Sequence, residues 1–409
     1  MKKHLLFLTH YFPPEVNAPA NRTFEHCKLW VTDIEVTVIT NFPNHPDGKI
    51  FPDYKNKLVQ KENNSGINVV RLWTFITPNE GFILRTLNYI IYMMAAVTYV
   101  LLSRIKFDVV IATTPQFFCG LAGKFISQLK NKPFILELRD LWPDSIVAVG
   151  ALKNKTIISI LTKIELGLYK SAALIVSVTN SFKENLISRG IDNNKIEVIY
   201  NGVDEQIFSE IKPIKDQALK SFLENGFKVG YIGTLGMAHS LSTLIDAAKV
   251  LEKEEVKFII VGSGAERERL ENEIKEKRLN NIAIFPLQPK SERPSIIEAL
   301  DLFFVHLKKN DLFKTVIPSK IFEGMIMKKP ILLGVDGETR KIIEDAECGL
   351  FFEPENVDDL VSKILLYKNS PQLILRHGEN GYKHVLKYFN RAALAQNYLT
   401  LINQVIEEK

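Results

Sequence analysis

The sequence predicts an α/β protein built from two doubly wound, Rossmann-like domains. Short apolar strands alternate with helical stretches along most of the chain, a pattern typical of parallel sheets covered by helices on both faces. A polar stretch at residues 205–225, predicted to be a linker with a short helix, interrupts this alternation, and a second series begins after it. With 409 residues, the chain is also long for a single core. We therefore predict one domain at residues 1–204, a second at 205–385 and a crossover helix at 386–409.

In the first half, each predicted strand is a run of apolar residues, and each predicted helix has apolar residues three or four positions apart. The strands are expected at residues 4–9, 35–40, 69–72, 108–112, 133–138, 173–178 and 196–199. The helices are expected at residues 20–31, 119–130, 156–170 and 181–189.

The second half repeats this alternation. Its strands are expected at residues 228–233, 256–262, 282–286, 302–306, 331–334 and 349–353. Its helices are expected at residues 241–251, 265–277, 291–300, 319–328, 339–346 and 357–367. A last helix, 390–408, is predicted to return to the first domain. Because open parallel sheets bind ligands at the carboxyl ends of their strands, we expect the site in a cleft between the two domains.

Composition narrows the class of protein. A net charge of +5 and a charged fraction of 24% without a Lys/Arg block make a nucleic-acid partner unexpected. Cys27, Cys119 and Cys348 are too far apart for a disulfide framework or a zinc site, which suits a reducing cytoplasm. The apolar run at residues 5–8 is too short for the core of a signal peptide. We expect a cytoplasmic protein, with a peripheral position on the inner face of the cytoplasmic membrane as an open alternative.

That alternative comes from an uncharged segment of eighteen residues, 86–103, which has the minimum length of a membrane span. Polar side chains are scattered through it, and a strand pattern follows at once. Three interpretations stay open for the stretch Leu84–Leu102: a buried or interdomain helix, a helix on a membrane surface, and a true span.

The segment 316–333 is the most informative for function. Pro318 and Ser319 form a helix start, with Ser319 as the N-cap. Lys320 follows in the first turn, where free backbone N–H groups and the helix dipole favour an anion. Glu323 lies on the same helix face, and its carboxylate can accept hydrogen bonds from ribose hydroxyls. The pattern indicates a nucleotide-diphosphate site; the alternative is an ordinary cap followed by solvated charges.

Loops after three other predicted strands support this interpretation. Gly233 and Thr234 follow the first strand of the second half and let the backbone approach a phosphate, and His239 adds a donor. The next loop leads to Arg267. The third loop, residues 287–288 (Leu287 and Gln288), can frame the edge of a base. One such loop is weak evidence, whereas three that converge on the 318–323 helix are much stronger.

The loop after the first strand lacks the Gly-x-Gly-x-x-Gly fingerprint of dinucleotide-binding proteins. It carries paired prolines and then polar residues, of which Glu15, Asn17 and Arg22 are candidates for contact with a sugar or an acceptor. The alternative is a rigid turn between strand and helix.

After the fifth strand the sequence continues with Arg139 and Asp140, followed by Trp142 and Pro143. Burying charged residues at the end of a strand costs free energy unless they form ion pairs, so such residues often have a functional role. We predict that Asp140 orients or deprotonates an acceptor hydroxyl, with Arg139 beside it in the catalytic set. The alternative is an Arg–carboxylate pair that holds the loop.

In five motifs the chain resembles glycosyltransferase family 4. The motifs that carry the resemblance are Gly-Thr-Leu-Gly at 233–236, Val-Gly-Ser-Gly-Ala-Glu-Arg at 261–267, Pro-Ser-Lys-Ile-Phe-Glu at 318–323, Asn-Gly-Val-Asp at 201–204 and Gly-Leu-Phe-Phe-Glu-Pro at 349–354. The resemblance implies a retaining, metal-independent transferase of the GT-B fold. Tyr-Phe-Pro-Pro-Glu and Arg-Asp-Leu-Trp-Pro-Asp-Ser are similar to the bacterial surface-polysaccharide branch that includes O-antigen N-acetyl-L-fucosamine transferases.

The resemblance also implies roles. Ser319 and Lys320 would hold the donor diphosphate, Glu323 the ribose, and Gly233 and Thr234 the phosphates from the other side. Arg267 and the 287–288 loop would lie near the nucleotide.

The sequence departs from the family pattern in two places. Thr234 and His239 stand where the family usually has Arg and Lys, and Thr315 replaces the first Glu of the Glu-x7-Glu signature. Lys320, with Arg267 or Lys314, would have to compensate for the missing cations.

We therefore expect sugar transfer from a UDP-sugar to a lipid-linked or saccharide acceptor in surface-polysaccharide synthesis, with Lys320, Asp140 and Arg139 as catalytic residues. The chain has no Asp-x-Asp motif, and neither a metal nor a cofactor beyond the UDP-sugar substrate is expected. Two rivals stay open: a UDP-sugar epimerase of the same fold, which needs no acceptor, and a non-catalytic sugar-nucleotide-binding protein.

Overall fold

The chain forms two compact units. The computed structural model describes residues 2–45, 48–76, 82–114, 116–148 and 152–408. One unit comprises Met1–Tyr200 together with Ala392–Lys409, and the other comprises Asn201–Arg391. The boundary between the units lies slightly before the predicted residue 204.

The first unit is a sheet with helices on its faces. Its strands are β1 His4–Leu8, β2 Glu35–Asn41, β3 Val59–Asn64, β4 Ile67–Leu72, β5 Val109–Thr113, β6 Phe134–Leu138, β7 Leu174–Ser177 and β8 Ile196–Val198. Its helices are α1 Ala18–Trp30, α2 Phe82–Leu102, α3 Phe117–Lys130, α4 Asp144–Ala148, α5 Lys155–Ser171 and α6 Asn180–Ser188. Within the described residues the sheet order is β3-β4-β2-β1-β5-β6-β7-β8. All pairs are parallel except β3 with β4.

Strand β3 was not predicted. It is polar apart from Val59, it alternates between exposed and half-buried residues, and it pairs on one side only, as an edge strand does. A strand that buries little apolar surface lacks the pattern by which the others were found.

The second unit contains a six-stranded sheet. Its strands are β9 Phe227–Thr234, β10 Val256–Ser263, β11 Ile282–Phe285, β12 Leu302–His306, β13 Ile331–Gly334 and β14 Gly349–Phe351. Its helices are α7 Glu205–Ser209, α8 Gln217–Phe222, α9 Ser242–Val250, α10 Arg267–Glu276, α11 Arg293–Glu298, α12 Lys320–Ile326, α13 Glu338–Asp345, α14 Val357–Lys368 and α15 Pro371–Tyr388. The order of the strands is β11-β10-β9-β12-β13-β14, and every pair is parallel. The strand order therefore reverses between β9 and β12.

Helix α15 was not predicted either. Two glycines interrupt its helical pattern, and both serve close packing. A Cβ at Gly378 would lie 2.1 Å from the carbonyl oxygen of Lys328, and one at Gly381 would lie 3.2 Å from the Cβ of Cys348. A glycine is unfavourable inside a helix by local propensity, and only the tertiary contact explains its presence.

The last helix, α16 Arg391–Glu407, packs on the first unit, as predicted. The indole N–H of Trp30 donates to the carbonyl oxygen of Ala395 at 2.9 Å, and Tyr398 and Ile402 are fully buried. These residues join the core formed by β1, β2 and α1.

Candidate functional site

The candidate site of the second unit lies at the carboxyl end of β9, where the strand order reverses. Open parallel sheets bind ligands at such a switch point. The backbone N–H of Lys308, just after β12, donates to the carbonyl oxygen of Ala238 at 2.9 Å. The loops that follow the two central strands are therefore bonded to each other.

Lys320 is the central residue of this site. Its Nζ atom is buried and has no hydrogen-bond partner among the described residues. The atom lies 3.8 Å from the ring centroid of Tyr231, a fully buried residue of β9 whose hydroxyl donates to the carbonyl oxygen of Thr234 at 2.6 Å. Burial lowers the pKa of Lys320 to about 7. An ammonium held over an aromatic face, with N–H donors still unpaired, is suited to receive an anion.

Gly233 permits this placement. Its φ is +147°, and a Cβ added there would lie 2.9 Å from Lys320 Nζ. A Cβ at Gly262 would lie only 1.9 Å from the carbonyl oxygen of Gly233. These glycines therefore allow close packing around Lys320 and between the ends of β9 and β10. The predicted approach of a phosphate to Gly233 and Thr234 stays a prediction.

Glu323 lies one turn after Lys320 and faces a cation that sequence reasoning missed. The Nη1 atom of Arg293 is 3.6 Å from Glu323 Oε1, and both side chains are mostly buried. Arg293 Nε is also buried without a hydrogen-bond partner in the described part of the chain. Burial lowers the pKa of Lys290, Arg293 lowers it further, and Glu323 opposes the shift. The site therefore combines one carboxylate with several cations.

A signal for this cluster was present in the sequence. Lys290 and Arg293 directly follow the 287–288 loop and lead into α11, so they come at the end of a strand like the other candidates. The prediction for that loop concerns only the edge of a base and leaves out the charges that follow it.

Ser319 departs from its prediction. It precedes the first residue of α12, but its hydroxyl makes no capping hydrogen bond. Its backbone is already helical, with φ −57° and ψ −20°, whereas a capping residue is usually extended. The helix is also shorter than expected and ends at Ile326, because Lys328 adopts φ +53° before Pro330.

His239 lies in the loop after β9 and bonds with His306 at the end of β12. The Nδ1–H of His306 donates to the carbonyl oxygen of His239 at 2.9 Å, and its Nε2 accepts from the backbone N–H of Glu355 at 3.1 Å. Burial lowers the pKa of His306 to about 4, and burial together with the Lys320 charge lowers the pKa of His239 to about 3. Both rings are neutral near pH 7, so His239 does not replace a missing cation. Its contact with a donor stays a prediction.

Arg267 ties two strand ends together. Its Nη1 donates to the carbonyl oxygens of Gly262 at 3.0 Å and Phe285 at 3.3 Å, and its Nε pairs with Glu271 at 2.8 Å. This bracing occupies the guanidinium, so a direct contact with a nucleotide stays a prediction.

The remaining candidates of this unit lie nearer the surface. Leu287 is exposed, and the Gln288 side chain donates to the carbonyl oxygen of Pro286 at 3.0 Å. Lys314 pairs with Asp311 at 2.9 Å. Arg267 and Lys314 are both engaged by neighbouring groups, so their compensation for the missing family cations stays a prediction.

In the first unit, Glu15 and Asn17 hold the loop rather than project from it. Glu15 is 1% exposed, and its carboxylate accepts from the backbone N–H groups of Phe12, Asn44 and His45 at 3.2, 3.0 and 2.9 Å. Burial raises the pKa of Glu15. Asn17 Oδ1 caps α1 by accepting from the N–H of Ala20 at 2.9 Å. These contacts are those expected of a rigid turn, and a contact of Glu15 or Asn17 with an acceptor stays a prediction.

Arg22 forms a buried ion pair. Its side chain is 3% exposed, and its Nε lies 3.2 Å from Glu137 Oε2. The two Nη atoms donate to the carbonyl oxygens of Tyr200 and Ile199 at 2.9 and 3.0 Å. These contacts engage the guanidinium, so a contact of Arg22 with an acceptor stays a prediction.

Arg139 contrasts with Arg22. Its backbone N–H donates to Thr114 Oγ1 at 2.8 Å, but its side-chain Nε and Nη1 are buried and have no hydrogen-bond partner in the described residues. Burial lowers the pKa of Arg139 to about 10, with Glu137 opposing the shift. Arg139 is therefore a second buried cation with unpaired donors at the end of a parallel strand.

The Ser145 side chain and the Leu141 backbone act to lower the pKa of Asp140. Burial raises its pKa nevertheless. Among the described residues it forms no ion pair with Arg139, so the proposed alternative of an Arg–carboxylate pair is not what holds this loop. A partly desolvated carboxylate of this kind can accept a proton.

Comparisons with known proteins agree with this architecture. Residues 21–207 match the family model described as Glycosyltransferase Family 4, and residues 214–384 match that of Glycosyl transferases group 1. A protein named as a colanic acid biosynthesis glycosyl transferase, WcaI of Escherichia coli K12, is 23% identical over 341 residues, which cover 81% of this chain and 83% of that protein. A glycosyltransferase of Methanocaldococcus jannaschii is 21% identical over 411 residues, with 99% of each chain covered.

Solved structures share the fold. Sucrose-phosphate synthase from Thermosynechococcus elongatus has a TM-score of 0.78 at 16% identity, with 100% of both chains covered. Anabaena HepE in complex with UDP and glucose has a TM-score of 0.72 at 17% identity, covering 98% of this chain and 100% of that one. The predicted GT-B fold is confirmed.

The ion pair of Arg22 generates a test of its role. Arg22→Met leaves the buried Glu137 carboxylate without its ion-pair partner and with one hydrogen bond, from Thr113 Oγ1 at 2.8 Å. We expect a loss of about 3–5 kcal/mol in the free energy of unfolding. The double variant Arg22→Met/Glu137→Met removes both charges and should recover much of that loss. Urea unfolding measures both, with Lys28→Met, an exposed position on α1, as the control. Wild-type stability of Arg22→Met would contradict the structural role.

Proposed function

The chain carries a glycosyltransferase family 4 domain followed by a group 1 glycosyl transferase domain, and on this premise we propose that it transfers a sugar from a UDP-sugar to a hydroxyl group of a saccharide acceptor. The observation that carries the proposal is the buried Lys320 ammonium, unpaired within the described residues, with Glu323 on the same helix. A diphosphate would be an anionic partner for Lys320, and a ribose would supply hydroxyl donors for Glu323. HepE, a structural neighbour, has been crystallised with UDP-glucose.

The proposed reaction breaks the bond between the sugar C1 and the diphosphate oxygen, and the electron pair leaves with UDP. Negative charge then grows on the phosphate while the sugar becomes oxocarbenium-like. Lys320, whose Nζ atom is buried, stabilises that charge together with Arg293 and Lys290 near Glu323. Stabilisation of developing charge by groups already in place is usually the largest contribution to such catalysis. We propose a retaining reaction in which these fixed cations serve in place of a divalent metal.

On the first unit, we assign the acceptor chemistry to Asp140 and Arg139. The acceptor hydroxyl forms the new bond to C1 and gives up its proton. The raised pKa of Asp140 suits it to orient that hydroxyl or to take the proton. The unpaired N–H groups of Arg139 suit an anionic part of the acceptor, such as a phosphate.

The names of the relatives support a role in the synthesis of surface polysaccharides. Besides WcaI, they include a poly(ribitol-phosphate) alpha-N-acetylglucosaminyltransferase of Staphylococcus aureus, 22% identical over 237 residues. We propose an amino or deoxy sugar, such as N-acetyl-L-fucosamine, as the transferred group. The proposed acceptor is a lipid-linked saccharide at the cytoplasmic face of the membrane, in O-antigen or capsule synthesis.

A screen of radiolabelled UDP-sugars against membrane lipid extracts tests the proposal. We expect labelled lipid product only when donor and acceptor are both present, with activity that persists in EDTA and an anomeric configuration that NMR shows to be retained. Consumption of the donor without any acceptor would instead indicate an epimerase.

Substitution of Lys320 tests the donor site. We expect Lys320→Ala to lower turnover on the order of 10²-fold, because the variant loses the cation nearest the developing charge. Lys308→Ala, which removes an exposed cation just after β12, is the matched control. Turnover of Lys320→Ala within a few-fold of wild type would rule out the role.

The pH dependence of nucleotide binding tests the state of Lys320. The diphosphate binds the protonated amine, and its pKa in the free protein is about 7. UDP is fully ionised above pH 7, and His239 and His306, with pKa values lowered to about 3 and 4, do not titrate there. Affinity for UDP should therefore fall by about tenfold per pH unit from pH 7.5 to 9.

Isothermal titration calorimetry in buffers of different ionisation enthalpy measures both the affinity and the accompanying proton uptake. Lys320→Gln should bind UDP weakly at every pH and take up no proton. A wild-type affinity that does not change across this range would contradict a neutral Lys320 in the free protein.

Substitution of Asp140 tests the acceptor side. Asp140→Asn should lower turnover by about 10²-fold or more and leave the affinity for UDP unchanged, because the carboxylate acts on the acceptor hydroxyl. Asp144→Asn, an exposed carboxylate in the next turn, is the control. If Asp140→Asn retained wild-type turnover, the carboxylate would only hold the loop through Ser145 and Leu141.

A further inference from the structure

The first unit has an apolar groove that the proposed transfer reaction does not use. It lies between α2 and the sheet edge formed by β3 and β4, and its volume is about 750 Å³. Leu58 and Leu102, which line it, are each 82% exposed, and Met94 is 60% exposed. Large apolar side chains grouped in this way usually mark a surface that binds another molecule.

Helix α2 lies along the first unit. Tyr92, Ala96 and Val100 are fully buried at helical spacing and face the interior. The Tyr92 hydroxyl is within hydrogen-bond distance of the carbonyl oxygens of Thr9 and Ile39, at 2.9 and 2.8 Å. The stretch Leu84–Leu102 is long and apolar enough for a span, with a mean hydropathy of 1.3. However, a span would have to break these contacts with the sheet, so the apolar outer face of α2 needs a different explanation.

The groove is bordered by positive charge. Residues 53–62 and 102–106 include five exposed Lys and Arg residues and two acidic residues, Asp53 and Glu62, of which Glu62 is paired with Arg71. The basic residues are Lys55, Lys57, Lys61, Arg104 and Lys106. None of them forms an ion pair within the described part of the chain. On β3, Lys61 points to the same side as the groove residue Val59, because side chains alternate along a strand.

We propose that this groove, with its border of basic residues, is a docking surface for an anionic lipid bilayer. Apolar side chains would enter the acyl boundary, Trp73 and Tyr99 would lie at the headgroup level, and the cations would meet lipid phosphates. A second copy of the chain fits less well, since a two-fold interface would oppose the same cations to each other. The inference rests on the proposed function in one respect, that a lipid-linked acceptor resides in such a bilayer.

Vesicle binding tests this proposal directly. The full chain is sedimented with vesicles of phosphatidylglycerol and phosphatidylcholine, and with vesicles of phosphatidylcholine alone, at low and high salt. We expect binding to the anionic vesicles that weakens as salt is added. Each basic residue near an anionic surface contributes about fivefold in binding. The variant Lys55→Gln/Lys57→Gln should therefore bind about 25-fold more weakly.

Exposed positions allow substitutions that should not disturb folding. Leu58→Asp and Leu102→Asp should each reduce vesicle binding by about tenfold or more, because an apolar side chain no longer leaves water. The matched controls are Leu375→Asp, at a position of the second unit that is 67% exposed, and Lys220→Gln/Lys253→Gln. The controls should bind vesicles like the wild type, and every variant should bind UDP like the wild type.

Three results would overturn the proposal. The first is that the protein does not bind anionic vesicles. The second is that it binds neutral vesicles equally well and that the Lys55→Gln/Lys57→Gln substitutions do not weaken this binding. The third is that the groove forms a dimer and vesicles are not bound. The second result would indicate an occupant recognised only by its apolar surface, such as one lipid tail. Because UDP binding is measured on the same samples, a failure of the groove proposal is distinguishable from a failure of the donor site.

Discussion

The proposed donor site depends on one buried cation, Lys320. Removing an ammonium from water is costly unless another charge or a hydrogen-bond acceptor replaces the water. In the second unit, the Tyr231 ring face and the Glu323 carboxylate replace only part of the hydration that the Lys320 ammonium loses. Burial therefore lowers the pKa of Lys320 to about 7. Two neighbouring features allow Lys320 to lie here: Gly233 has no Cβ that would crowd its Nζ atom, and a hydrogen bond fixes the Tyr231 hydroxyl. A diphosphate that binds beside Lys320 would lower the remaining free-energy cost of burying this charge.

The same reasoning separates cations that look alike in the sequence. Arg22 and Arg267 are engaged by carboxylates and backbone carbonyls, so they stabilise the fold. Arg139 and Lys320 lie at the ends of parallel strands or beside them, and each keeps buried N–H groups unpaired within the described residues. A cation that keeps unpaired donors after folding can still bind a ligand. For that reason, we propose the donor role for Lys320 and the acceptor role for Arg139.

The elements that the sequence predicted well are those whose burial produces a local pattern. Strands buried on both faces, such as β1, β5 and β12, appear as short apolar runs, and their predicted positions agree with the structure within about a residue or two. Two of the elements that it missed, β3 and α15, follow from pairing or packing with distant segments. Likewise, the Lys320–Glu323 pair was found because both residues share one helix turn, whereas Arg293 comes thirty residues earlier in the chain.

The sequence by itself determined the alternation of strands and helices, the division into two domains and the helix that carries Lys320 and Glu323, because each follows from local periodicity or a short motif. Only the tertiary structure decided which charges are paired. Arg22 meets Glu137 across 115 residues of sequence, and Glu15 accepts hydrogen bonds from a loop thirty residues away. The free energy of a charge depends on the atoms within a few ångströms of it, and those atoms come from segments that folding brings together.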